Sequence, residues 1–177
     1  MNSNQPAVRS EPRHAMRGAA SVCADIPLCD GHDLTPGTHL VTRRGGYEHH
    51  GIYVGAGRVV HYAGFAAGRC RGPVLEVTLD SFAAGNAIVI RLHTDARFVG
   101  TEAVLRARSR LGENRYRLLT NNCEHFCTWC LSGESRSQQV ETCLTHPRAG
   151  MQVLMSLFKA LVATELKGVY AGVRVAA

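Results

Sequence analysis

The chain has 177 residues and a formal net charge of +6, carried almost wholly by arginine because lysine occurs only at Lys159 and Lys167. This length is that of one domain with a substantial core, and nothing in the sequence indicates a second. The seven cysteines are an odd number, and the polar residues 1–22 lack the apolar stretch of a signal peptide. We therefore expect a reducing, cytoplasmic environment in which the cysteines are free.

The predicted strands occupy the first half of the chain. Residues 1–30 show little periodicity and are predicted to form a disordered N-terminal arm. Beyond Gly37 the sequence alternates between apolar and polar residues as strands do, and Gly55-Ala56-Gly57 is typical of a hairpin turn. The predicted strands are Thr38–Arg43, His49–Val54, Arg58–Tyr62, Val74–Leu79 and Ala87–Leu92.

The second half of the chain has the longer period of helices. The predicted helices are Val99–Leu111, Asn121–Leu131 and Met151–Val169, and residues 134–147 are polar and irregular. No apolar stretch reaches the ~20 residues of a membrane-spanning helix. Strands followed by helices predict an α+β fold, with an antiparallel β-sheet and helices packed on it.

The ten residues Asn121–Cys130, NNCEHFCTWC, carry the strongest functional signal. Asn121 is predicted to cap a helix, with Glu124 completing a capping box. Cys123 then lies in the first helical turn, where the helix dipole favours the thiolate. Because the thiolate is the reactive form of cysteine, Cys123 is the candidate nucleophile.

A cysteine nucleophile needs a base and a group that orients the base, and the hairpin offers His49, His50 and His61. A three-residue turn places His49 and His61 on one face of the sheet as diagonal neighbours. A two- or four-residue turn pairs His50 with His61 instead. Ordinary strand histidines with polar partners are the alternative to both.

The three-residue turn makes Val54 face Arg58 and makes Gly51 face His61. It also puts Gly51 beside His49, where the missing side chain lets another backbone approach. The helix that carries Cys123 is the candidate for that position. This register therefore favours His49 and His61 as the histidines that serve the nucleophile.

Three stretches of the chain resemble the lecithin:retinol acyltransferase family and the related small phospholipase/acyltransferases. They are TPGTHLVTRRGGYEHHGIYVGAGRVVHY (35–62), LRARSRLGENRYRLLT (105–120) and NNCEHFCTWCLSGE (121–134). The resemblance implies a circularly permuted papain-like fold, related to NlpC-type thiol enzymes, in which the base precedes the nucleophile. It implies Cys123 as nucleophile, His49 as base and His61 as the second histidine.

The implied activity is that of a thiol acyltransferase or phospholipase. A fatty acyl chain would pass from a phospholipid or other ester, through a cysteine thioester, to water, an alcohol or an amine. The implied domains are the arm 1–30, a catalytic domain 31–147 and a C-terminal helix and tail 148–177. Lys159, Glu165 and Lys167 interrupt the last segment, so it either packs on the core, which we favour, or lies on a membrane surface.

Metal sites are the first alternative use of the cysteines. Cys123, Cys127 and Cys130 form a C-x3-C-x2-C pattern like that of radical-SAM iron–sulfur enzymes. On a helix these three share one stripe, so burial in the core explains Cys127 and Cys130. A zinc site with His125 or Cys143 lacks paired knuckles. We therefore expect no metal and no other cofactor.

Two further functional classes stay open. Papain-like peptidases and amidases would use Cys123 and His49 equally well, because a fold does not fix a function. A non-catalytic module that binds a membrane or a partner is the other. The basic charge suits anionic partners such as phospholipid headgroups, although a solvated basic surface is the simpler interpretation, and we expect no nucleic-acid partner.

Overall fold

The computed structural model describes residues 23–29, 33–45, 47–64 and 72–146. Six strands form one antiparallel sheet in the order β1-β6-β2-β3-β4-β5. The strands are β1 Cys23–Pro27, β2 His39–Arg44, β3 Tyr47–Gly55, β4 Arg58–Gly64, β5 Gly72–Thr78 and β6 Ile88–His93. The helices are α1 Leu79–Ala83, α2 Gly100–Ser109, α3 Cys123–Ser132 and α4 Gln138–Thr145. The predicted α+β fold with an antiparallel sheet is confirmed, and its circular permutation stays a prediction.

Alternation along the central strands gives the sheet two apolar faces. Ile52 and Tyr62 lie on the face that α2 and α3 cover, in one cluster with Phe126. Leu40 and Phe82 pack together on the opposite face, which α1 covers. Phe82 and Phe126 are completely buried, and each contributes roughly 1.5–3 kcal/mol through removal from water. Both faces of β3 and β4 are therefore covered, which fixes the direction of every side chain on these strands.

The turn of the β3–β4 hairpin differs from the prediction. Ala56 and Gly57 form a two-residue turn with φ of +50° and +67°, the positive values that a type I′ turn requires. Gly55 consequently faces Arg58. The predicted pair of Val54 with Arg58 is wrong because the turn is one residue shorter than expected.

A β-bulge nevertheless restores the predicted register further along the hairpin. The pairing shifts by one residue between Tyr53 and Gly55, so Val54 is the extra residue of the bulge. Gly51 faces His61 as predicted. A short turn with a bulge thus produces the same alternation as a three-residue turn without one.

Several elements differ from the sequence-based expectations. β1 lies within the segment 1–30 and pairs with β6. α4 lies within residues 134–147, so the prediction of an irregular segment there is wrong. The helix predicted for Met151–Val169 lies outside the described residues. In the part of the chain that the structure describes, no helix is long and apolar enough to cross a membrane.

Candidate active site

The helix that carries Cys123 is capped by Asn122. The Oδ1 atom of Asn122 accepts hydrogen bonds from the backbone N–H groups of Glu124 and His125, each at 3.0 Å. Nδ1 of His125 lies 2.9 Å from Oδ1 of Asn122 and 3.4 Å from its backbone nitrogen, which is the arrangement of a capping box. The predicted box of Asn121 and Glu124 is therefore wrong by one residue, although Cys123 does begin the helix.

The thiol of Cys123 is buried against the backbone of β3, with 4% of the residue exposed. Its sulfur lies 3.9 Å from the carbonyl oxygen of Glu48. Burial raises the pKa of the thiol to about 12, against the opposing effect of the backbone N–H groups of His50, Glu124 and Cys123 itself. The expected thiolate is thus absent from this buried state, because desolvation outweighs the start of the helix.

His49 and His61 form the pair that the register predicts. The Nε2 atom of His49 lies 2.8 Å from Nδ1 of His61, and the two rings are nearly perpendicular, at 88°. Both rings also contact Phe82. Burial lowers the pKa of His61 to about 4 and that of His49 well below its usual value of 6.5. Both rings are therefore neutral near pH 7.

The nucleophile candidate and the histidine pair approach β3 from different sides. α3 packs on the face that carries Ile52, whereas His49 and His61 point toward Phe82 on the other face. Gly51 likewise faces Phe82, since an added Cβ would lie 2.8 Å from the ring, so α3 does not occupy the space expected for it. Among the described residues, the hydrogen bond of the Cys123 thiol goes to Glu48 rather than to either ring.

The β3–β4 pairing ends before Glu48, where the Cys123 thiol meets β3. The pairing of these strands reaches only to Gly51 and His61. Beyond it, the N–H of Glu48 donates to Oε1 of Gln139 at 3.1 Å, and the C=O of Glu48 accepts from Nε2 at 3.4 Å. The side chain of Gln139 thus replaces a neighbouring strand where the Cys123 thiol meets β3.

Glu124 anchors α4 beside the nucleophile candidate. Its buried carboxylate accepts hydrogen bonds from the Ser137 hydroxyl, from the N–H groups of Gln138 and Gln139 and from the Gln139 amide. Burial opposes ionisation, but His50 and these hydrogen bonds bring the pKa of Glu124 below its usual value. The sequence motif assigned Glu124 only to a capping box and did not indicate Gln139, because it contains no information on a contact fifteen residues away.

A second row of histidines lies on the α3 side of the sheet. Nε2 of His93 is 2.7 Å from Nδ1 of His39, and Nε2 of His39 is 3.0 Å from Nδ1 of His50. Nε2 of His50 then meets the amide nitrogen of Gln139 at 2.8 Å. Burial lowers the pKa of His50 to about 4. His50, the alternative partner of His61, therefore belongs to this row instead.

The remaining cysteines of α3 are core residues. Cys127 and Cys130 are completely buried and pack with Phe126, which confirms the interpretation of the cysteine stripe as packing. Cys29 and Cys143 also form no disulfide. Within residues 23–29, 33–45, 47–64 and 72–146, no group of three potential ligands is placed to hold a metal ion.

This fold and this arrangement of cysteine and histidines accompany a match to a known family. Residues 32–136, more than half of the chain, match the family described as Lecithin retinol acyltransferase. The chain belongs to this family. The matched residues run from before β2 to the loop that precedes α4, and so include Cys123, His49 and His61.

Individual relatives agree with the family assignment. The chain is 31% identical to Lecithin retinol acyltransferase of Rattus norvegicus over an alignment of 133 residues, and the match covers 59% of this chain and 57% of the relative. It is 33% identical to Phospholipase A and acyltransferase 2 of Homo sapiens over an alignment of 138 residues, with 68% of this chain and 85% of the relative covered. Phospholipase A and acyltransferase 4 of Homo sapiens is 29% identical over an alignment of 122 residues, with 60% of this chain and 74% of the relative covered. The chain thus spans little more than half the length of the first of these.

Proposed function

We propose that the protein is a cysteine-dependent acyltransferase or lipid hydrolase. It moves a fatty acyl chain from a phospholipid or other ester, through a thioester on Cys123, to water, an alcohol or an amine. Family membership and the names of the relatives support the reaction class. The observation that carries the proposal is the hydrogen bond between His49, on the strand that Cys123 touches, and His61 on the neighbouring strand.

His49 acts as general base on a neutral thiol. Because the pKa of Cys123 is about 12 and that of His49 lies well below 6.5, no ion pair forms before substrate binds. The thiol proton must leave as the sulfur attacks the ester carbonyl, and it passes to Nδ1 of His49. The thiol contacts Glu48 rather than either ring before substrate binds, so the proposal requires that substrate binding bring the sulfur within hydrogen-bond distance of Nδ1 of His49.

His61 orients the base and stabilises its charged form. If Nδ1 of His49 accepts the proton, then Nε2 carries a hydrogen throughout and donates it to Nδ1 of His61. The same bond exists before and after proton transfer, so the ring need not turn during the reaction. His61 thereby performs the part that a carboxylate performs in other triads.

The reaction has two halves, formation of the thioester and its breakdown. The tetrahedral intermediate collapses, the carbon–oxygen bond breaks, and His49 returns the proton to the departing alcohol. In the second half His49 takes a proton from water, an alcohol or an amine, which attacks the thioester and releases the Cys123 thiol. The backbone N–H groups of His50, Cys123 and Glu124 that lie around the sulfur are donors suited to the oxyanion, where loss of one donor typically costs about 10²–10³-fold in rate.

Intact mass spectrometry after incubation with phosphatidylcholine vesicles tests this function. We expect an acyl adduct on the unchanged chain and none on Cys123→Ala. Cys127→Ala is the matched control, because its sulfur lies one helical turn further along and is buried in the core, and it should keep the adduct. An adduct on Cys123→Ala, or cleavage of peptides without any lipid adduct, would contradict the proposal and in the second case favour a papain-like peptidase.

A further inference from the structure

The connection between α2 and α3 carries basic and apolar side chains that the proposed chemistry does not use. We call residues 111–121 the arginine turn. An antiparallel bridge between Arg117 and Asn121, with N···O distances of 3.0 and 2.8 Å, closes it. Leu119 at its tip is 57% exposed and Leu111 at its base is 44% exposed. Exposed apolar side chains beside cations are typical of surfaces that enter the headgroup region of a bilayer.

The positive charge of the arginine turn is not compensated locally. Its only carboxylate, Glu113, binds Arg110 at 2.6 and 2.8 Å, and this bond lowers the pKa of Glu113 to about 2. That pair is neutral as a whole. Arg115 and Arg117 are exposed, and neither forms an ion pair with a carboxylate of the described ranges.

A groove of about 640 Å³ runs along these two arginines. Its lining supplies guanidinium, amide and hydroxyl donors and consists of Asn114, Arg115, Tyr116, Arg117, Thr120 and Asn121. Such donors suit a phosphate group, which arginine can bind through two hydrogen bonds at once. The arginine turn is also tied to the start of α3, because Nδ2 of Asn122, the residue before Cys123, donates to the carbonyl oxygen of Leu118 at 2.9 Å.

We propose that the arginine turn docks the protein on an anionic bilayer by binding the phosphate of a phospholipid. Arg115 and Arg117 hold the phosphate, and Leu119 enters the boundary between headgroups and acyl chains. The role of this contact rests on the proposed function. In a glycerophospholipid the ester carbonyls lie next to the phosphate, so a headgroup held here presents them to Cys123.

Vesicle sedimentation tests the docking independently of turnover. The full chain carrying Cys123→Ala is mixed with vesicles of phosphatidylcholine and phosphatidylserine. Arg115→Glu with Arg117→Glu should weaken binding at least about 30-fold, because each basic side chain at an anionic surface contributes roughly a factor of five. Leu119→Ser should weaken it several-fold through lost apolar burial.

A second double variant controls for net charge alone. Arg97→Glu with Arg136→Glu changes the charge equally near the other end of α3, where the Arg97 N–H bonds to Leu131 and the Arg136 backbone contacts Thr128. This variant should retain most of the binding, and circular dichroism should show every variant folded. Equal losses in the two double variants would overturn the proposal.

Three further outcomes distinguish the membrane contact from a free-phosphate site and from the proposed function. Binding of inorganic phosphate that depends on the arginines, without dependence of vesicle binding on Leu119, would assign a free-phosphate site and overturn the membrane contact. Vesicle binding through the arginine turn without any acyl adduct on Cys123 would keep the docking and remove the proposed function. Acylation by a water-soluble short-chain ester without vesicle binding would keep the proposed function and remove the docking.

Discussion

The ring nitrogens of His49 and His61 lie 2.8 Å apart on neighbouring strands, at the point where the pairing of those strands ends. Burial keeps both rings neutral near pH 7. Two neutral rings joined in this way share one proton, so one ring donates and the other accepts. The pair can therefore receive a proton from a thiol without first having to lose one, which is the state that a general base requires.

Substitutions of single histidines test whether His49 and His61, rather than the second row of histidines, serve the reaction. His49→Gln should lower the rate of acyl-adduct formation by about 10²–10⁴-fold, the usual contribution of a positioned base. His61→Gln should lower it by a smaller factor, because that ring only orients the base. His93→Gln, at the outer end of the second row, is the control and should leave the rate nearly unchanged. The rate is measured by intact mass, and equal losses for His49→Gln and His93→Gln would contradict the assignment.

The buried thiol predicts a particular dependence of alkylation on pH. With a pKa of about 12 for Cys123, the thiolate fraction rises about tenfold per pH unit throughout the neutral range. Reaction of Cys123 with iodoacetamide should therefore accelerate steadily from about pH 6 to pH 9. Peptide mapping identifies the alkylated residue, and Cys123→Ala gives the background. A rate that is already constant near pH 6 would indicate a preformed thiolate–imidazolium pair and contradict the neutral-thiol mechanism.

Much of the site is predictable because it is encoded locally. Alternation along the hairpin identifies the faces of His49 and His61, and the run NNCEHF marks the start of a helix at Cys123. The burial of the thiol is not predictable in this way, since it depends on how α3 packs against β3. The bulge at Val54 compensates for a short turn and leaves no trace in the alternation itself.

The contacts of Gln139 in α4 are likewise not predictable from the sequence. This helix spans only eight residues and has no buried residue in its described span. Its apolar residues Val140, Cys143 and Leu144 have helical spacing but make up less than two turns, too few to identify a helix. Its role depends on a buried carboxylate at Glu124 and on the free backbone of Glu48. Neither partner is visible in the sequence around Gln139.

The buried histidines predict acid sensitivity of the fold. His50 and His61 have pKa values of about 4 in the folded chain, against about 6.5 when unfolded. Above about pH 7 they are neutral in both states and do not affect stability. As the pH falls from about 6.5 to about 4, the unfolded chain binds protons that the folded chain does not. The free energy of unfolding therefore decreases, by about 3 kcal/mol for each such histidine.

Urea unfolding between about pH 4.5 and pH 7.5 measures this loss. Carboxylates with lowered pKa values, such as Glu113 at about 2, weaken the fold only at lower pH, so this window reports the histidines. In His50→Gln the free energy of unfolding should fall less steeply with decreasing pH, by the slope that corresponds to about one bound proton, because one histidine that takes up a proton on unfolding is removed. A stability that does not change across the window, or a steeper curve for His50→Gln, would show that these rings are not held neutral by the fold.

Gly51 tests which helix covers the histidine face. A Cβ atom at this position would lie 2.5 Å from Cγ1 of Val59 and 2.8 Å from Cε2 of Phe82. Gly51→Ala should therefore lower the free energy of unfolding by about 1–3 kcal/mol through overpacking. Because one of these two contacts is with Phe82 of α1, adding Phe82→Leu should recover part of that loss, with a coupling energy of about 0.5 kcal/mol or more in a double-mutant cycle. In the same cycle with Cys127→Ala on α3, the two losses of unfolding free energy should simply add. Coupling of Gly51 to Cys127 and not to Phe82 would contradict the assignment and place α3 over Gly51.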